Sequence, residues 1–185
     1  MTTLNIELQR LIEQDSQRMA ILRLVSTSNL PQCYVSAGFV RNLVWDHLHG
    51  KQTSTPLNDI DVIYFDPAES NSAANLDYEK QLKALLPKVN WQVRNQAIMH
   101  VRNGDKPYTS VNHAMSHWPE KETAVAVRID KNGNLECLAP FGLESLFDLQ
   151  VTHNPKRNIS VFDQRVASKN WLTLWPKLTV VRNSV

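Results

Sequence analysis

Ser36-Ala-Gly-Phe-Val-Arg-Asn42, followed after a polar loop by Asn58-Asp-Ile-Asp61, is the part of this 185-residue chain on which the fold turns. Before it, Gln32-Cys-Tyr-Val-Ser36 has strand character, and Gly38 stops that run. From Phe39 to His49 the apolar residues Val40, Leu43, Val44 and Leu48 return at helical spacing. After the loop, Ile60-Asp-Val-Ile-Tyr-Phe65 reads as a second strand by its β-branched and aromatic content.

Asp59 and Asp61 stand at the start of that strand. Alternation puts both carboxylates on one face, roughly 6 to 7 Å apart along the strand. Such a pair can hold divalent cations through hard oxygen ligands, and so serve an attacking oxygen and a triphosphate leaving group. Asp-x-Asp alone is more often a solvated strand end. Here both carboxylates interrupt the apolar approach to a core strand, where like charges repel unless a cation compensates them. Gly38 sits where a helix begins, and the free N–H groups of a first turn form an anion site. Arg41 falls in that turn against the helix dipole. Two readings stay open for it: service to a phosphate or carboxylate, or a pairing with Asp46 or the aspartates.

Outward from this segment, Leu4, Leu8, Leu11, Ile12, Met19, Leu22 and Val25 predict a helix over about 3–27, with Asp15 interrupting its stripe. A helix is expected over Leu76–Leu86 and a third strand over Asn90–Asn95. Residues 123–129 and 135–138 form a hairpin around Lys131-Asn-Gly-Asn134. A last helix is expected over about 160–175. It carries Arg165 and Lys169 on one face, either as part of a triphosphate or acceptor pocket or as a solvated face, which is the commoner use of such a pair. Trp171 and Trp175 lie four apart near its end. This order predicts one α+β domain over residues 1–185, a mixed sheet flanked by helices.

The composition is 42% hydrophobic with a formal net charge of +2. That permits a sizeable core and does not require a nucleic-acid partner. Aromatic residues do not cluster with basic ones, so a broad nucleic-acid platform is not indicated. Neither a membrane span nor a leader pattern is read, and the well separated Cys33 and Cys137 suggest reduced thiols and a cytoplasmic location. His113 and His117 have the spacing of a zinc pair, but no third ligand or accompanying Glu is evident.

Together, Ala37-Gly-Phe-Val-Arg-Asn42 and Asp59-Ile-Asp61 resemble the head domain of the nucleotidyltransferase superfamily. The nearest pattern is that of CCA-adding and poly(A)-type enzymes, with Gly-Gly-x-Val-Arg-Asp ahead of Asp-x-Asp. Thr123-Ala-Val-Ala-Val-Arg128, the Asn-Gly turn and Ala139-Pro-Phe-Gly-Leu-Glu-Ser-Leu146 resemble their later strand pair and the stretch after it. Almost the whole chain is similar to a family of small bacterial nucleotidyltransferase-like proteins. The motifs are Trp91-x-Val-x-Asn-Gln-Ala97, Trp118-Pro119, Ala139-Pro-Phe-Gly142, Lys169-x-Trp171 and Trp175-Pro176.

The resemblance implies Mg2+- (or Mn2+-) dependent transfer of a nucleoside monophosphate from an NTP, ATP first among them, with release of pyrophosphate. Asp59 and Asp61 would be the catalytic metal-binding pair. Gly38, Arg41 and Asn42, with Arg165 and Lys169, would hold the nucleotide. The chain departs from the pattern in three places: Ala37 replaces a Gly, Asn42 replaces an Asp, and the strand expected to carry a third, base-acting carboxylate offers only Gln92 and Asn95. An amide takes no proton at neutral pH. Either Asp66 or Asp105 folds in, a metal-bound hydroxide serves, or the chain is a catalytically weak nucleotide-binding module. A phosphohydrolase using the same aspartates is a further reading. The length leaves little room for RNA-holding helical domains, which favours a small-molecule or protein acceptor.

Overall fold

The computed structural model describes residues 2–71 and 73–182. It opens with two helices, α1 (Thr3–Gln14) and α2 (Ser16–Ser26), where one was expected over about 3–27. Asp15 divides them. It leaves helical backbone at φ −95° and ψ 98°, and its carboxylate caps α2 by accepting from the Arg18 N–H at 2.9 Å. The same carboxylate pairs with the Arg18 guanidinium, which is fully buried and donates through Nε to the Phe39 carbonyl at 2.8 Å. The break is therefore built in, and it clamps α2 to the next helix.

That next part runs β1 (Tyr34–Ser36), α3 (Gly38–Leu48), β2 (Asp59–Tyr64), α4 (Ala74–Leu85) and β3 (Asn90–Asn95). Two short helices follow, α5 (Met99–Asn103) and α6 (Val111–Met115), then the hairpin β4 (Ala126–Ile129) and β5 (Leu135–Leu138). β4 starts three residues later than expected, because residues 121–125 are taken up by tight turns. At the hairpin tip Gly133 adopts φ 84°, and Asp130 accepts from the N–H groups of Asn132 and Asn134. The chain then forms α7 (Glu144–Phe147), β6 (Gln150–Thr152), α8 (Ile159–Ser168), α9 (Trp171–Leu174) and β7 (Thr179–Val181). The helix expected over about 160–175 is thus also two helices, because Asn170 turns left-handed at φ 53° between them.

The main sheet has the order β3-β2-β1-β4-β5, with β2 and β3 parallel and the other neighbours antiparallel. β6 and β7 pair separately in parallel. This is the α+β mixed sheet flanked by helices that the residue pattern predicted. Its two faces differ. Val35, Ile60, Val62, Tyr64, Trp91, Val93 and Val127 point into the large core, with side chains of α1, α2, α3 and α8. Each such buried side chain contributes about 1.5–3 kcal/mol. On the other face Tyr34, Ile63 and Ala126 meet Tyr108, Val111, Ala114 and Met115 in a smaller cluster. The register places Ser36, Asp61 and Gln92 side by side on that second face.

Candidate nucleotide and metal site

The turn from β1 into α3 is strained at Ala37, where φ is 56° and ψ −123°. That region is close to glycine-only for steric reasons, so it is held by its surroundings. The Ala37 N–H donates to the Val125 carbonyl at 2.9 Å, and its own carbonyl accepts from Val40 and Arg41. Gly38, which the sequence marked as the special position, is not in the left-handed region. What it provides is space: a Cβ there would meet Asn42 Nδ2 at 3.4 Å and Arg41 Nη2 at 3.5 Å. No side chain caps the N-terminus of α3.

Arg41 is buried, and neither of the pairings considered for it forms. Its guanidinium lies 5.1 Å from the Trp45 ring and 4.6 Å from the Trp171 ring, donates to Thr123 Oγ1 at 2.7 Å, and contacts Asn42 Oδ1. Aromatic faces hold a cation there without neutralising it. Burial lowers its pKa to about 10, against the opposing fields of Glu120, Asp61 and Glu122. Asp46 serves a different purpose. It accepts from Thr55 N–H, Thr55 Oγ1 and Trp175 Nε1 at 2.6–2.7 Å and pairs with Lys51 at 3.1 Å. Burial alone would raise this carboxyl, but those donors outweigh it and hold it below the usual range. The loop that follows α3 is tied down by these contacts.

On β2, Asp59 is exposed and accepts from Asn90 Nδ2 at 2.5 Å. Asp61 lies between Ser36 and Gln92 in the register, and Ser36 Oγ donates to its carbonyl at 3.2 Å. Burial, then the neighbouring Asp59, push the Asp61 carboxyl up, while Arg41, Lys169 and Arg94 pull it down. Neither aspartate makes an ion pair among the described residues. Two neighbouring carboxylates, one exposed and one half-buried, offer hard oxygen ligands and a charge that calls for a cation. Among the described residues no third His, Cys, Asp or Glu joins them as a cluster. That donor set fits Mg2+, which is bound through one or two carboxylates together with water and substrate phosphates.

All seven residues singled out from the sequence line one cleft of about 730 Å3: Gly38, Arg41, Asn42, Asp59, Asp61, Arg165 and Lys169. Arg165 is no mere solvated residue; it forks onto the fully buried Glu120 at 2.5 and 3.2 Å. Lys169 is exposed at the end of α8. The third-carboxylate position is Gln92, and its Oε1 accepts from Arg94 Nη2 at 2.6 Å. Asn95 points to the other face, bonding Asp66 and Glu69. Asp66 and Asp105, the other acids considered, do not line the cleft. His113 and His117 meet edge to face with ring centres 5.1 Å apart, and each bonds nearby chain groups through Nδ1.

Several cleft residues were not legible as site residues. Arg94, Arg102 and Arg157 add three guanidinium groups, and Trp118 and Thr123 complete the wall. Trp118-Pro119 was noticed as a motif without a place. For Glu120, a single acid 45 positions before its partner Arg165, no local signal exists.

A nucleotidyltransferase family model matches residues 23–180. A protein whose NMR structure reveals a CCA-adding enzyme head domain is 32% identical, with a TM-score of 0.85, over 96% of this chain and 95% of that one. A CCA-adding enzyme in complex with CTP shares 15% identity and a TM-score of 0.60 over 94% of this chain and 43% of its own. The Thermotoga maritima CCA-adding enzyme complexed with tRNA matches at 15% and 0.60, over 94% and 42%. These last two likenesses show the fold alone, and the chain spans less than half the length of either enzyme. No curated protein matches. With the family match covering most of its length and the fold agreeing, the chain belongs to the nucleotidyltransferase family.

Proposed function

We propose that the chain transfers a nucleoside monophosphate from an NTP to an acceptor in a Mg2+- (or Mn2+-) dependent reaction that releases pyrophosphate, with ATP the first nucleotide to assay. One observation carries the reading: half-buried Asp61 stands beside Asp59 without an ion-pair partner among the described residues, in the same cleft as the uncapped N-terminus of α3. Asp59 and Asp61 would hold the cation, which when bound offsets the charge of the triphosphate and of the attacking oxygen. The first-turn N–H groups of α3 and Asn42 would take phosphate oxygens. Arg41, caged between two tryptophans, keeps its charge available to the phosphates, since no carboxylate occupies it. Arg165 and Lys169 would close on the nucleotide from α8, with Glu120 keeping Arg165 in place.

The free, half-buried Cys33 and Cys137 suit a reducing cytoplasm, and no helix among the described residues is long and apolar enough to cross a membrane. The experiment incubates each labelled NTP with Mg2+ and cell extract, comparing wild type with Asp61→Asn. Metal-dependent label transfer by wild type alone supports the proposal, and its absence with every nucleotide overturns it. A second reading, a nucleotide-binding module without turnover, draws on Gln92 standing where a base would. Calorimetry with ATP and Mg2+ separates the two, because tight binding without any product favours the module.

A further inference from the structure

An acceptor that attacks through a hydroxyl loses a proton as the new bond forms, and the cleft holds few groups able to take it. Among the described residues that line it the acids are Asp59 and Asp61 alone, both assigned to the cation in the reading above. Gln92, on the strand where a base was expected, is an amide whose Oε1 accepts from Arg94. The other titratable side chains of the lining are five arginines and Lys169, which offer donors and no acceptor, and His117.

The bonds around His117 decide which of its ring nitrogens is basic. Nδ1 lies 2.9 Å from the His113 carbonyl, which only accepts, so Nδ1 carries the proton and Nε2 the lone pair. Ser116 Oγ, 3.2 Å from Nδ1, does not reverse this: its one proton goes to the same carbonyl at 2.8 Å, and its oxygen accepts from Lys156 Nζ at 3.0 Å. Nε2 has no partner among the described residues. The ring is held in place by its neighbours. Tyr108 lies 5.1 Å from it, tilted by 37°, and His113 meets it edge to face at 5.1 Å. The His117 carbonyl accepts from Arg157, and its N–H donates to the Ala114 carbonyl at 3.0 Å. Asp105, held low first by its bond from Arg157, also gains from a proton on His117.

Packing presents this ring over the face of β2 that carries the aspartates. Ile63 follows Asp61 by two residues on that face, about 6–7 Å along the strand. It packs in one cluster with Ala114, Met115 and Trp118, which flank His117 in the chain. Asp61, Ile63 and His117 all line the one cleft.

We propose that His117 is the general base of the transfer, its Nε2 taking the proton of an acceptor hydroxyl. This rests on the nucleotidyl-transfer reading above and supplies the base that the strand lacks. In the step, the hydroxyl oxygen forms a bond to the α-phosphorus while its proton passes to Nε2. The bond from that phosphorus to the bridging oxygen breaks, and its electron pair leaves with pyrophosphate. The imidazolium then gives its proton to water, which reaches the half-buried ring. A phosphate or carboxylate acceptor has already lost its proton at neutral pH and would leave Nε2 without a task. The product is therefore a phosphodiester.

The test uses the full chain with α-labelled ATP, Mg2+ and cell extract. His117→Asn keeps an N–H near the place of Nδ1 and has no basic atom in place of Nε2. It should bind ATP with Mg2+ within about twofold of wild type in calorimetry, yet transfer label on the order of 100-fold more slowly. His117→Ala should lose as much, and added imidazole should restore its transfer at least about tenfold, a recovery that a structural role would not give. The purified wild-type product should show a phosphodiester by phosphorus NMR. Transfer by His117→Asn near the wild-type rate, or a diphosphate product, overturns this inference and leaves nucleotidyl transfer standing. Loss of ATP binding in both variants, or a deficit that imidazole does not repair, makes His117 structural and overturns it equally. No transfer by wild type, with ATP still bound, overturns the transfer reading and this inference with it.

Discussion

The two faces of β2 are built from alternate residues of one short strand, and they obey different rules. Ile60, Val62 and Tyr64 enter a core where shape and apolar area decide what fits. Asp59 and Asp61 face the cleft, and there the loss of water and then a neighbouring carboxylate push the Asp61 carboxyl above its ordinary range. A strand can therefore carry stability on one side and chemistry on the other with a rise of about 3.3 Å separating the two. If the division is real, substitutions on the two faces fail in separate ways.

The largest expected effect is on the cleft face. Asp61→Asn should lower transfer by on the order of 1,000-fold, equivalent to about 4 kcal/mol of transition-state stabilisation. Its thermal midpoint should hold or rise: a carboxyl raised in the fold is destabilising when ionised, so neutrality relieves it. A midpoint that falls with activity would erase the distinction between the faces. The core-face counterpart is Ile60→Ala, fully buried, which should cost about 2–5 kcal/mol in denaturant titration while the folded fraction keeps its nucleotide affinity.

Smaller effects sharpen the comparison. Ala37→Gly should relax the strained turn and stabilise by about 1 kcal/mol, a rise in melting midpoint of roughly 2–4 °C, where an ordinary alanine-to-glycine change destabilises. A lowered midpoint would show that Ala37 is not strained. Least in size is the ion pair behind the cleft wall. Arg157 holds the Asp105 carboxyl below the usual range, so its contribution is present above the unfolded pKa and is lost as pH falls through the lower folded value. Acid titration of stability should become shallower below about pH 4 in Asp105→Asn, by up to about 1 kcal/mol.

How much of this could be read from residues alone follows the range of the interactions. The Gly38–Asn42 turn, the β2 aspartates and the Asn-Gly hairpin are local patterns, and their elements stand within a few residues of expectation. The alternation in β2 announced both faces. Helix breaks at Asp15 and Asn170 were not legible, because each depends on a backbone choice that tertiary contacts select: the buried Arg18 in one case and the docking of Trp171 in the other. The strain at Ala37 was not anticipated, since composition draws the eye to glycine and not to the position that bears the twist. Arg165 looked like a solvated residue because its partner Glu120 is remote in the chain and fully buried.

Arg41 belongs to the early part of the chain, but one wall of its aromatic cage is Trp171, and Asp46 in the same helix is met by Trp175. During synthesis the α3 turn and the β2 aspartates proposed for the nucleotide and its cation would be made first, yet the setting of Arg41 and Asp46 waits on residues emerging more than a hundred positions later. The cage is therefore closed late in assembly: a ribosome-bound or truncated chain lacking α9 would present the α3 motif without Trp171 against Arg41.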